Sequence, residues 1–367
     1  MSFLGFAGHL LRNVTIHLIP DLFGSIGRVK RRMQEDIDNG PEILIDFFNE
    51  NFVIFSDIHR GDGSDADRFK NSDIYSTALS YYNDKNYNLI LLGDIEEGWG
   101  FKDKLGFLKQ NNLFLLKLEM KFVNKGKYFR IIGNHDDIWR DQSQVDKYLF
   151  LINNFGQNSN QINPEVSIIL KHEDKKILLI HGCQGHNFSD IGDKCASDFI
   201  NFKFKHGFKS SKDEFAKKRK KLRKQERKIL KWAKDKNMIV VMGHTHVPYF
   251  MSIPSTRFEE KSLELIRDSM GKIRDRAQLK QLKDLNDDQE NILNSIKEQK
   301  KNIEDEKKKY SKVFFNTGNC CKDSDEISAI EISSGMIKEI YWKRGSTTPK
   351  TNNHRDLDEV FSLIKDT

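Results

Sequence analysis

Five short clusters along the chain carry residue types that ligate metals and move protons. They are Asp57-Ile-His59, Gly93-Asp94, Gly133-Asn134-His135-Asp136, His181-Gly182 and Gly243-His244-Thr245-His246. Together they hold five of the eleven histidines in the chain. A donor set of imidazole, carboxylate and amide oxygen, without thiolate, suits divalent manganese, iron or zinc, and it excludes a structural zinc site caged by cysteines. Each cluster alone is a weak signal, since a single Asp-x-His or His-x-His arises by chance. The ordered set is much more specific.

The clusters share a setting. Apolar runs at Phe52–Phe55, Leu89–Leu92, Tyr128–Ile132, Ile177–Ile180 and Met238–Met242 each end directly in one of them. Short runs of this kind, bounded by Gly and polar residues, predict strands buried on both faces. Residues 72–83 and 107–124 are of helical length and lie between the first three strands, which predicts a βαβ rhythm and an α/β fold. In open sheets of this kind ligands gather beyond the carboxyl ends of the strands, so the five loops are expected to converge on one crevice. Gly93, Gly133 and Gly243 precede ligands at tight strand exits, where a missing Cβ permits unusual φ or close backbone approach.

The remaining composition sets bounds. At 367 residues, with 37% hydrophobic and 31% charged, the chain is long enough for a large core with insertions and reads as a soluble protein. Its net charge of +7 is concentrated in Lys217–Lys228, where nine Lys or Arg face only Glu226. Such a patch suits a bound anion, a nucleic acid or a peripheral membrane contact, and equally a solvated helix face. Cys183, Cys195, Cys320 and Cys321 form no CxxC pair, which implies a reducing, cytoplasmic setting. Arg12, His17, Pro20 and Asp21 interrupt the apolar N-terminus, so residues 1–50 are expected to be a helical segment packed on the core. The core is placed at 51–256, with a helical insertion at about 190–237. Apolar spacings of three and four predict a second insertion, a helical hairpin over 257–310 that could make a homo-oligomer. Strands in 311–343 complete the core, and 344–367 is a polar tail with a last helix over 356–365.

The ordered motifs resemble those of the calcineurin-like metallophosphoesterase superfamily, D-x-H, G-D, G-N-H-D/E, H and G-H-x-H, from about Asn51 to Pro248. The motif forms SDIH and LLGDIEEGW are most similar to the branch that includes UDP-diacylglucosamine pyrophosphohydrolases. Protein serine/threonine phosphatases carry an arginine in the second motif that GDIEEGW lacks. The resemblance implies a four-layer α-β-β-α sandwich with two helical insertions. It implies two divalent cations, manganese first with iron or zinc as alternatives, about 3.5–4 Å apart. One would be held by Asp57, His59 and His246, the other by Asn134, His181 and His244, with Asp94 bridging. His135 is then the general acid, with Glu97 or Asp136 as its carboxylate partner. The expected reaction is in-line attack by a metal-bound hydroxide on a phosphate ester or pyrophosphate, without a covalent phosphoenzyme, in a phosphorylated small molecule or nucleotide. The alternatives are a nuclease of the same fold, acting on DNA or RNA through Lys217–Lys228, and a catalytically silent scaffold. His186 and Asp190 are weaker candidates near the substrate, and Cys183 reads as a packed small residue.

Overall fold

The computed structural model describes residues 34–365 except 36, 39, 64–66, 99–111, 150–161, 184–228, 230, 231, 234, 252, 255–312 and 322–324. Thirteen strands are described in two sheets. The first sheet has the order β13-β12-β11-β2-β3-β4. Its strands are β2 (Phe52–Phe55), β3 (Asn88–Leu92), β4 (Tyr128–Ile131), β11 (Glu326–Ser333), β12 (Met336–Lys343) and β13 (Lys350–Asp356). The second has the order β1-β5-β6-β7-β10-β8-β9. It consists of β1 (Glu42–Leu44), β5 (Ser167–His172), β6 (Lys175–Ile180), β7 (Ile239–Met242), β8 (Tyr249–Phe250), β9 (Ile253–Pro254) and β10 (Phe314–Asn316).

Strand alternation builds the layers. Phe52 and Ile54 of β2 point into a core between the sheets, which they share with Ile177, Leu179, Ile239 and Val241. Val53 and Phe55 point the other way, onto helices α1 (Ser72–Asp84) and α2 (Leu113–Asn124), where Tyr75, Leu79, Tyr82, Leu118 and Phe122 are buried. The outer face of the second sheet, with Leu178, Ile180, Val240 and Met242, buries Ile37, Ile229 and Ala233 from helical residues. Each central strand is therefore apolar on both faces, as its continuous hydrophobic run predicts. The result is the expected four-layer α/β sandwich. A third helix, α3 (Leu357–Lys365), adds Leu357, Val360, Phe361 and Ile364 to the core between the sheets.

Two expectations are corrected. Residues 344–367 are not a polar tail ahead of a last helix, because Lys350–Asp356 pairs antiparallel with β12. The polar side chains that conceal this strand support it: buried Glu339 accepts from Asn352 Nδ2 at 2.9 Å, Asn353 Nδ2 at 2.5 Å and Tyr341 Oη at 2.8 Å. The segment 1–50 is not wholly helical, because Glu42–Leu44 is an edge strand parallel to β5. Three residues with an exposed-intermediate-exposed pattern carry too little periodicity to announce a strand. Residues 1–33, nearly all of the 190–237 insertion, the 257–310 hairpin, Lys217–Lys228, His186 and Asp190 lie outside the described residues. Among the described residues no helix is long and apolar enough to cross a membrane.

Candidate metal centre

The parallel pairings β2–β3, β3–β4 and β6–β7 put the ends of these strands on one side of the molecule. The clusters leave those ends through tightly bent backbone. Asp57, His59, Asp94, His244 and His246 all have positive φ, between 50° and 68°. Left-handed backbone is uncommon for residues with a Cβ, and such strain concentrates at functional sites. Gly93, at φ 83°, has a second constraint: a Cβ there would lie 2.6 Å from His181 Nδ1 and 2.8 Å from the Gly133 nitrogen.

The side chains converge. Asp57 is fully buried; its Oδ2 accepts from Ser56 Oγ and from the His244 N–H at 2.9 Å. Its Oδ1 makes no hydrogen bond among the described residues and lies 3.0 Å from His246 Nε2 and 3.9 Å from His59 Nε2. Asp94 Oδ1 accepts from the His135 N–H at 2.8 Å, while Oδ2 lies 3.2 Å from His181 Nε2 and 3.7 Å from His59 Nε2. His181 Nδ1 stands 2.9 Å from the Leu92 carbonyl, which can only accept. Nδ1 therefore carries a proton, which leaves Nε2, beside Asp94, as the nitrogen that would face a cation once its own proton is displaced.

Donor atoms of Asp57, His59 and Asp94 lie within 4.8 Å of one another, as do those of Asp94, His181 and His244. Asp94 belongs to both groups. Asn134 Oδ1 and His181 Nε2 are buried without a hydrogen bond among the described residues, and the Nε2 atoms of His59 and His246 face each other at 3.1 Å. Two lone pairs that close need a cation or a proton between them, so the residues present fit a divalent metal.

The electrostatics agree. Burial opposes charge on Asp57, but His246 and His181 outweigh it and hold the carboxyl down at about 2. Burial would likewise lower His181 and His246, but Asp94 pushes the first up to about 9 and Asp57 pushes the second up to about 10. The carboxylates thus draw positive charge into the centre. His59, dominated by its burial and then by His135, falls to about 4 and is neutral.

His135 Nδ1 lies 2.7 Å from Glu97 Oε1, whose Oε2 is 3.3 Å from His59 Nδ1. Burial opposes ionisation of Glu97, yet the hydrogen bonds with His135 and His59 hold its pKa well below the usual range. Of the two carboxylates expected as partner of His135, Glu97 is the one in hydrogen-bond contact with it, and Asp136 is directed elsewhere. Asp136 is fully buried, accepts from the backbone N–H of Gly133 at 2.6 Å and of Ile95 at 2.8 Å, and faces Arg130 at 3.5 Å. It shapes the loop that carries Asn134 and His135.

Sequence reasoning missed a buried charged cluster beneath these loops. Arg60 donates to Glu96 at 2.6 Å and 3.0 Å and to Glu119 at 2.7 Å and 3.2 Å. Glu96 also accepts from Arg130 and, at 2.8 Å, from Trp139 Nε1. Arg60 follows His59 and Glu96 lies two residues after Asp94. The available signal was a charged residue placed where a strand end is otherwise buried.

A model of the family described as calcineurin-like phosphoesterase matches residues 50–265, more than half of the 367-residue chain. Solved structures that resemble the chain include Vacuolar Protein Sorting 29 from Cryptosporidium parvum, at 10% identity and TM-score 0.35, covering 84% of this chain and 99% of that one. A Vps29 mutant from Entamoeba histolytica has 11% identity and TM-score 0.31, covering 83% and 98%. A predicted phosphoesterase from Streptococcus pneumoniae has 11% identity and TM-score 0.28, covering 83% and 98%. Likenesses this distant carry no weight beside the family match. No curated protein matches the chain. With ligand-rich loops converging where its strands end, and with more than half its length matched, the chain belongs to the calcineurin-like phosphoesterase family of metal-dependent hydrolases.

Proposed function

We propose that the chain hydrolyses a phosphate ester or pyrophosphate bond in a small phosphorylated molecule or nucleotide, at a centre of two divalent cations, manganese by preference. The observation that carries this is the sharing of Asp94 between two ligand groups, which is what two cations held close together require. Asp57, His59 and His246 would hold one, and Asn134, His181 and His244 the other. When bound, the cations supply water activation and neutralise charge on the phosphoryl oxygens. Asp57 and Asp94 provide the negative charge that retains them. Glu97 holds His135 through Nδ1, which leaves Nε2 to deliver a proton to the departing oxygen. His135 Nδ1 is the proton donor to Glu97, so the ring keeps one orientation throughout. The free thiols of Cys320 and Cys321 support a reducing compartment.

The test is a manganese-reconstituted screen across monoester, diester, nucleotide-lipid, pyrophosphate and nucleic-acid substrates, run beside Asp94→Asn and His135→Ala. Turnover of a monoester, diester or pyrophosphate that both variants abolish or cut by about 10²–10⁴ supports the assignment. Turnover confined to nucleic acid points to the nuclease. Wild-type rates in both variants would sink the catalytic roles.

A further inference from the structure

A histidine ligand is useful only if the right nitrogen carries the lone pair, and that is set by what the other nitrogen touches. For His181 the partner is the Leu92 carbonyl, and for His59 it is Glu97. His246 turns Nε2 toward Asp57 and His59, and on the opposite edge of the ring Nδ1 lies 3.8 Å from Cys321 Sγ, within reach of an N–H···S hydrogen bond. Cys321 is buried and free, whereas the His246 side chain is 26% exposed against 1% for His59 and 0% for His181. A ring with one open edge has the most need of a partner on the other. The buried Asp57 Oδ1, directed at His246 Nε2 without a hydrogen bond, marks the cation side.

The segment that carries Cys321 also grips the Gly243–His246 loop and the Asp57 loop elsewhere. Asn316 Nδ2 donates to the Gly243 carbonyl at 2.7 Å and to Thr245 Oγ1 at 3.1 Å. Asn319 Nδ2 donates to the His246 carbonyl at 3.0 Å, and the Cys320 N–H to the Asp57 carbonyl at 3.2 Å. All of these residues except the acceptors lie beyond the 50–265 region matched by the family model.

We propose that Cys321 is a positioning residue of the metal centre: its sulfur accepts from His246 Nδ1–H and so fixes the tautomer that presents Nε2 to the cation beside Asp57. The proposal rests on His246 being a metal ligand. Equilibrium dialysis of manganese against wild type, Cys321→Ser and Cys321→Ala tests it. The alanine variant should lose about 10–100-fold in affinity for one manganese equivalent, with the other unchanged, and serine, which keeps an acceptor, should restore most of it. A second measurement needs no variant: nitrogen-15 NMR of the zinc-loaded protein should show His246 protonated at Nδ1. Wild-type affinity in Cys321→Ala, or a proton on Nε2, overturns the assignment. A wild type that binds no manganese overturns this and the metal centre together, whereas one that binds two and hydrolyses nothing overturns only the proposed function.

Discussion

Replacing Arg60 with Met probes the charged cluster under the metal loops most directly. Methionine keeps much of the length and apolar stem but deletes a guanidinium that makes four hydrogen bonds to Glu96 and Glu119. Counted singly at about 1.5–3 kcal/mol each, bonds to charged groups would suggest about 6–12 kcal/mol, but such bonds are not additive. Glu96 keeps Arg130 and Trp139, and Glu119 keeps the hydroxyls of Tyr75 and Tyr128, at 3.2 Å and 3.4 Å. Breaking one partner out of a buried ion pair costs about 3–5 kcal/mol, and that is the expected loss. Its pH dependence has a definite sign. Burial pushes Glu96 up, but Arg130 and Arg60 outweigh it and hold the carboxyl below its ordinary 4.5. A depressed carboxyl stabilises the fold above the unfolded pKa, so the variant's deficit should be full above about 4.5 and shrink as pH falls below it. Urea denaturation of metal-free wild type and variant across that range gives the deficit from the shift in midpoint at constant slope. Arg60→Met with Glu119→Gln should be less destabilised than the two single changes summed, by about 0.5–3 kcal/mol. A loss below about 1 kcal/mol, a deficit that grows toward acid, or strict additivity would refute the reasoning.

Four further outcomes follow from the centre itself. His181 and His246, raised to about 9 and about 10, hold protons that a cation must displace, so apparent manganese affinity should climb more than tenfold per pH unit between about 6.5 and 9; a flat profile by dialysis contradicts it. By the same linkage the two imidazoliums stabilise the metal-free fold fully below 6.5, and that contribution should fade in denaturation midpoints as pH rises through 9 and 10. Glu97→Gln should slow hydrolysis of an ester with a poor alkoxide leaving group by about 10–100-fold and barely change one with a nitrophenolate, and equal effects on both would remove His135 as the acid. Gly133→Ala would drive a Cβ into Asp94, and is expected to cost about 1–3 kcal/mol and to abolish tight manganese binding.

The parts of the protein legible in the linear chain are those where local pattern and chemistry coincide. Phe52–Phe55, Asn88–Leu92 and Ile239–Met242 are apolar enough to declare strands with two buried faces, and their termination at Asp57, Asp94 and His244 announces the ligands. The layered α/β architecture and the ligand motifs therefore follow from short-range signals. Edge strands β1 and β13 do not, because an edge needs little hydrophobicity and takes its pairing from a neighbour far along the chain. Contacts between distant segments were equally illegible. The choice of Glu97 over Asp136 as the partner of His135 depends on how β3 and β4 sit side by side, which directs one carboxylate at the imidazole and the other at the backbone of Gly133 and Ile95. Cys321 approaches His246 across 75 residues of sequence, and Arg60 meets Glu119 across 59, with nothing in either local pattern to say so. Side-chain type and spacing determined which chemistry the chain can perform; only the packing of one strand end against another decided which nitrogen faces the metal, which acid faces the histidine, and which charges lie buried beneath them.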